Sequence, residues 1–106
     1  MFVSINHLKV KPSCESQIKS RFGESGGLES VPGFIEFQLL RHCWTPHPQG
    51  EVTTIEYLAL TRWESKEDFI NWTRSDAFKK AHSGPKLDIW AGPAVPAGYD
   101  VAVERL

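Results

Sequence analysis

Two stretches of this chain alternate like strands yet are apolar on both parities, and that restricts the fold more than any other feature. In VTTIEYLALTRW, Val52, Leu58 and Leu60 occupy one parity, while Ile55, Tyr57, Ala59 and Trp63 occupy the other. GFIEFQLLRHC behaves alike, with Phe34 and Leu40 opposed to Ile35, Phe37 and Leu39. A sheet built from such strands must be covered on both faces, because an apolar patch of several hundred Å² does not stay in water. The few helices that the rest of the chain can supply cover one face. The other is expected to pack sheet against sheet in a homodimer.

The remaining elements follow in order. FVSINHLKV predicts a first strand over residues 2–10, stopped by Pro12. Ser13 is placed to cap a helix in which Cys14, Ile18 and Phe22 recur at i, i+4 and i+8, ending near Gly23. Residues 24–33, with Gly26, Gly27 and Pro32, form a connection, and residues 44–50, with two prolines and a glycine, form a hairpin loop. Ser65-Lys66-Glu67-Asp68 approximates a capping box for a helix from Lys66 to about Arg74, and Ser75 can cap a second over Asp76 to His82. A Gly- and Pro-rich stretch, SGPKLDIWAGPAVPAG, then leads to a last strand, YDVAVE. The order β-α-β-β-α-α-β fits an α+β, ferredoxin-like sheet of four antiparallel strands with helices on one face. With 106 residues, the chain is expected to be a single domain over 1–106.

Charge and motifs exclude several functions. Twelve Lys and Arg stand against thirteen Asp and Glu, for a net charge of −1 with both signs scattered, so no electrostatic footprint for nucleic acid exists. The apolar runs are far too short to span a bilayer, and MFVSINHLKV lacks the layout of a secretion signal. A soluble, cytoplasmic protein without a membrane partner is expected, and Cys14 and Cys43 show no disulfide or metal spacing. Phosphate loops, zinc motifs and nucleophile elbows are missing from the sequence. His42 and His47 bracket the hairpin loop without a third ligand nearby.

What remains is the stretch FINWTRSDAFKKAH, which carries Phe69, Trp72, Phe78 and His82 on two short helices facing the sheet. An apolar cleft with one imidazole suits a planar aromatic ligand. A neutral imidazole can bind iron through one nitrogen while its other N–H is held by a carbonyl, and an indole can press on a macrocycle beside it. Asn6 adds to this. A carboxamide in mid-strand among Val3, Ile5 and Leu8 is disfavoured, and costs a kcal/mol or more, of order, when buried without partners. On the parity of Phe2, Ser4, Leu8 and Val10 it projects toward the same cleft.

With these residues the chain resembles the antibiotic biosynthesis monooxygenase superfamily, and within it the IsdG-like heme-degrading monooxygenases. The resemblance rests on Asn6, on Arg21-Phe22, on Pro32-Gly33-Phe34 leading into Phe37-Gln38-Leu39-Leu40-Arg41, on Trp63-Glu64-Ser65, and on Phe69, Trp72, Ser75, Phe78, Ala81 and His82. The combination of Asn6 with a Trp ten residues before a His is its most diagnostic part. It implies a dimeric α/β barrel that uses heme as both cofactor and substrate, with O₂ and electrons from an external donor or reductase, and that opens the porphyrin and releases iron. It further implies His82 as axial ligand of the heme iron, Asn6 as distal hydrogen-bond donor and Trp72 as the residue that distorts the ring. Phe22, Phe69 and Phe78 would be pocket walls, and Arg21 would approach the heme propionates. The same superfamily includes cofactor-free monooxygenases of polycyclic phenols or quinols, and a heme-binding dimer without turnover would share the same residues.

Overall fold

The computed structural model describes residues 1–23, 27–47, 50, 53–82 and 88–106. Strand β1 spans Phe2–Val10, β2 Phe34–Arg41, β3 Ile55–Trp63 and β4 Val95–Asp100. They form one antiparallel sheet in the order β2-β3-β1-β4. Helix α1 covers Glu15–Gly23, α2 Lys66–Thr73 and α3 Asp76–Ala81. This is the ferredoxin-like arrangement that the element order implies. No helix among the described residues is long and apolar enough to cross a membrane.

Local chemistry explains most boundaries. Ser65 caps α2, its Oγ accepting from the Asp68 amide at 3.1 Å and donating to the Asp68 carboxylate at 2.9 Å. Gly33 holds φ +82°, and a side chain there would run into that carboxylate, so the turn before β2 requires glycine. Ser13 does not cap α1. Pro12 starts a 3-10 turn over Pro12–Cys14 with Lys11 as its cap, and α1 follows directly.

Three strand expectations change. Thr53 and Thr54 precede β3 outside the strand, and Val52 lies outside the described residues. A bulge between Phe34 and Glu36 turns Phe34 to the side of Phe37 and Leu39, so Phe34 meets Trp63 edge to face at 5.7 Å. The last strand runs over Val95–Asp100, not over YDVAVE, because its partner β1 stops at Phe2 opposite Asp100. Pro96 is accepted there because β4 is an edge strand. Of the Gly- and Pro-rich stretch before it, residues 83–87 lie outside the described residues, as do 24–26 and 48–49 of the two loops.

The helix-covered face holds the core. Leu8, Val10, Ile18, Tyr57 and Ile89 form one buried cluster, with Cys14 and Phe22 packed against it. Ile89 arrives from the segment after α3, fastened to β1 by Lys11 N to Ile89 O at 2.9 Å and Ala91 N to Lys9 O at 2.8 Å. Above the cluster Glu15 accepts from the Tyr57 hydroxyl at 2.7 Å and pairs with Arg41. The Arg41 hydrogen bond, then that of Tyr57, holds the Glu15 carboxyl down at about 2.

On the opposite face, Val3, Ile5, Leu58 and Leu60 sit on the parity of Leu40 and Tyr99, which are 40% and 48% exposed. The face that no helix covers is therefore substantially apolar.

Candidate active site

Beside the core cluster the same sheet face opens into a cavity of about 840 Å³, within the roughly 300–1,000 Å³ usual for cofactor and small-molecule sites. Its floor is the sheet: Ser4 and Asn6 from β1, Ala59 and Thr61 from β3, Phe34 and Phe37 from β2. Those from β1 and β3 are small or polar where the neighbouring rungs carry Leu8 and Tyr57. Space is left because the side chains that would fill it are short.

Helices α2 and α3 make the opposite wall. Ser75 ties them together, its Oγ donating to Trp72 O at 2.6 Å and accepting from Phe78 N at 3.2 Å. Helix α3 has six residues, too few to be stable alone, and a ladder of rings supports it. His82 stacks on Phe78 at 4.0 Å, Phe78 meets Trp72 edge to face at 4.8 Å, and Trp72 lies against the buried Trp63 at 5.3 Å. Such aromatic pairs contribute about 0.5–1.5 kcal/mol each beyond burial. Trp63 is anchored in turn by Nε1 donating to Thr61 Oγ1 at 2.9 Å.

His82 lies at the end of α3 with Nδ1 at 2.8 Å from the Phe78 carbonyl. A carbonyl only accepts, so in the neutral ring the proton sits on Nδ1 and Nε2 presents a lone pair. Across the cavity Asn6 has its Oδ1 buried without a hydrogen-bond partner. An orphaned polar atom of this kind costs about 1–3 kcal/mol. Its neighbours in the sheet are Ala59 and Pro96, which bring no polar side chain to it.

All the residues singled out from sequence, Asn6, Arg21, Phe22, Phe69, Trp72, Phe78 and His82, line this one cavity. Arg21 is exposed at the rim, its guanidinium carbon 6.0 Å from the ring of Trp90. Trp90 itself is bridged to Val10, so the segment after α3 supports the rim. Sequence reasoning missed Ser4, Thr61, Phe37 and Pro96. For Ser4 and Thr61 the available signal was the run of small and polar residues at alternate positions in β1 and β3; Phe37 and Pro96 carried none.

Heme fits this donor set. One imidazole with a free Nε2, flat aromatic walls and the Asn6 carboxamide in the same lining suit a metal that arrives inside a macrocycle. Among the described residues no three His, Cys, Asp or Glu side chains group to hold an ion by themselves.

Fold and site together define a class, a ferredoxin-like domain that carries an aromatic cavity with a single imidazole against one sheet face. The model of the antibiotic biosynthesis monooxygenase family matches residues 1–84. The chain is 36% identical, over 108 aligned positions, to a heme-degrading monooxygenase of Bacillus thuringiensis (strain Al Hakam), covering all of this chain and 94% of that one. Its structure is similar to that of the heme degrader MhuD from Mycobacterium tuberculosis, solved with two hemes bound in its active site, with TM-score 0.72, 29% identity and 99% of both chains covered. A Bacillus cereus structure assigned to the antibiotic biosynthesis monooxygenases gives TM-score 0.77 at 25% identity, covering 99% of this chain and 96% of that one. The chain belongs to the antibiotic biosynthesis monooxygenase family.

Proposed function

We propose that this protein is an O₂-dependent heme-degrading monooxygenase that opens the porphyrin and releases its iron. The observation that carries the reading is the pairing, in one aromatic cavity, of a His82 whose Nδ1 is tied to a carbonyl with an Asn6 amide that has an orphaned oxygen. The orphaned oxygen in particular does nothing to hold the fold. His82 would hold the heme iron through Nε2, with the Phe78 carbonyl fixing the orientation of its ring. Trp72, backed by Trp63 and Phe78, would pack against the macrocycle. Asn6 would donate from its NH₂ into the cavity and so bias where the chemistry occurs. Phe22, Phe69 and Phe78 exclude water, and Arg21 pairs with the propionates at the rim. When bound, heme supplies the iron that activates O₂ with electrons from an external donor, and its own ring is what is oxidised.

The reading includes a homodimer. The uncovered sheet face, with Ile5, Leu58, Leu60, Leu40 and Tyr99, supports sheet-against-sheet packing. It also treats residues 1–106 as one domain, since the segment beyond residue 84 returns to β1 as Ile89, Trp90 and β4. The free thiols of Cys14 and Cys43 suit a reducing cytoplasm.

The test is a titration of the heme-free protein with hemin, followed in the visible, then addition of ascorbate in air. A saturable Soret shift followed by its decay and iron release, both lost in His82→Ala, is expected. Asn6→Ala is expected to keep heme bound while turnover drops. A heme complex that survives reductant and O₂ would make the protein a carrier. No saturable shift would overturn the heme reading in favour of cofactor-free oxidation of a quinol.

A further inference from the structure

The main cavity shares a wall with a smaller one. The second, of about 380 Å³, opens between the edge strand β4 and the start of α2, with Lys66 and Asp100 in its lining. Ser4, Phe69 and Pro96 line both. Ser4 precedes Asn6 by one rung on the same face of β1 and stands opposite Thr61 on β3. Thr61 is buried and its Oγ1 already accepts the Trp63 indole N–H, so its own hydroxyl proton remains available to donate. Among the described residues Ser4 makes no side-chain hydrogen bond, and the Asn6 oxygen has none. Three polar side chains with spare hydrogen-bonding capacity thus form a strip on a floor whose other members are apolar. The strip reaches from a solvent-side pocket bearing Lys66 and Asp100 to Asn6.

Resting on the heme reading above, we propose that Ser4 is a positioning residue that conducts water and protons from the outer cavity to the Asn6 side of the inner one once a planar ligand closes the main mouth. A monooxygenase step places one oxygen atom in product and reduces the other to water, taking up protons along with the donor's electrons. In the relay Ser4 Oγ–H passes its proton to a water beside Asn6, and Oγ accepts one from a water in the outer cavity. Ser4 ends unchanged, and one proton has moved inward.

Ser4→Val and Ser4→Thr test this, since valine and threonine have the same shape and only threonine keeps the hydroxyl. The first readout involves no turnover: exchange of the Asn6 side-chain NH₂ with water, by NMR, in protein loaded with diamagnetic zinc protoporphyrin. Ser4→Val is expected to slow that exchange several-fold and Ser4→Thr to keep the parental value. With hemin, reductant and air, Ser4→Val is expected to slow ring loss about tenfold or more, and to enlarge the solvent deuterium isotope effect. Equal behaviour of the two variants would overturn the role of Ser4. If Ser4→Val does not fold, Asp100→Phe, on the strand face of Phe2 and in the lining of the outer cavity, narrows that cavity and is expected to give the same slowing; parental exchange in that variant would overturn the route. Failure of zinc protoporphyrin to saturate the parent would remove the heme reading and this inference together. Saturation with no difference between variants would remove the inference alone.

Discussion

The helix-covered face of the sheet has two halves built from the same strands. At one end Leu8, Val10 and Tyr57 meet Ile18 and Ile89, and all five are buried. At the other, one or two rungs away, Ser4, Asn6, Ala59 and Thr61 meet α2 and α3 across about 840 Å³ of open space. The backbone registers are continuous between them. The difference lies in side-chain volume and polarity alone: the filled half supplies stability, and the hollow half gives up packing and leaves an amide oxygen unpaired.

Changes on either side can break or sharpen that contrast. The largest effect is expected from Ile18→Ala in the filled half, which should cost about 2–5 kcal/mol in denaturant unfolding; hemin affinity of the folded variant should stay parental. His82→Ala in the hollow half should do the reverse, weakening hemin binding about a hundredfold or more in a visible titration, while loss of its stack on Phe78 lowers stability by only about 0.5–1.5 kcal/mol. Asn6→Leu should turn a hollow rung into a filled one. Relieving the orphaned oxygen should stabilise the fold by about 1 kcal/mol while heme turnover is lost, and an unchanged or lowered stability would show that the amide is satisfied in some other way.

The smallest effect concerns pH. Glu15, above the filled half, has its pKa lowered from 4.5 to about 2 by Arg41 and then Tyr57. A depressed carboxyl stabilises the fold above its ordinary pKa and loses that contribution as pH falls through the folded value. Stability should therefore decline between pH 4.5 and about 2. In Glu15→Gln that part of the acid limb should disappear, with the hemin titration at neutral pH unaffected.

Much of this was legible in the chain. Ser65 and Ser75 announce α2 and α3 by their own side chains, and the apolar spacing of Cys14, Ile18 and Phe22 marks the buried stripe of α1, because capping and helical periodicity are local. Asn6, Trp72 and His82 stand out as residue types that their elements do not need. Other features depended on partners distant in sequence. YDVAVE reads as a better strand than VPAGYD, yet β4 takes Val95–Asp100 because pairing with β1 decides where it can run. The side on which Phe34 lies was set by a bulge that alternation does not register.

Sequence by itself determined the element order, the two-faced strands and the residue types offered to the cavity, since each depends on composition within a few residues of chain. Only the tertiary structure decided that Ser4, Thr61 and Pro96 share a wall with Asn6, that Ile89 returns to close the core, and that His82 and Asn6 line the same cavity. Those facts arise from register and from helix placement, where groups far apart in the chain come within hydrogen-bonding or van der Waals distance.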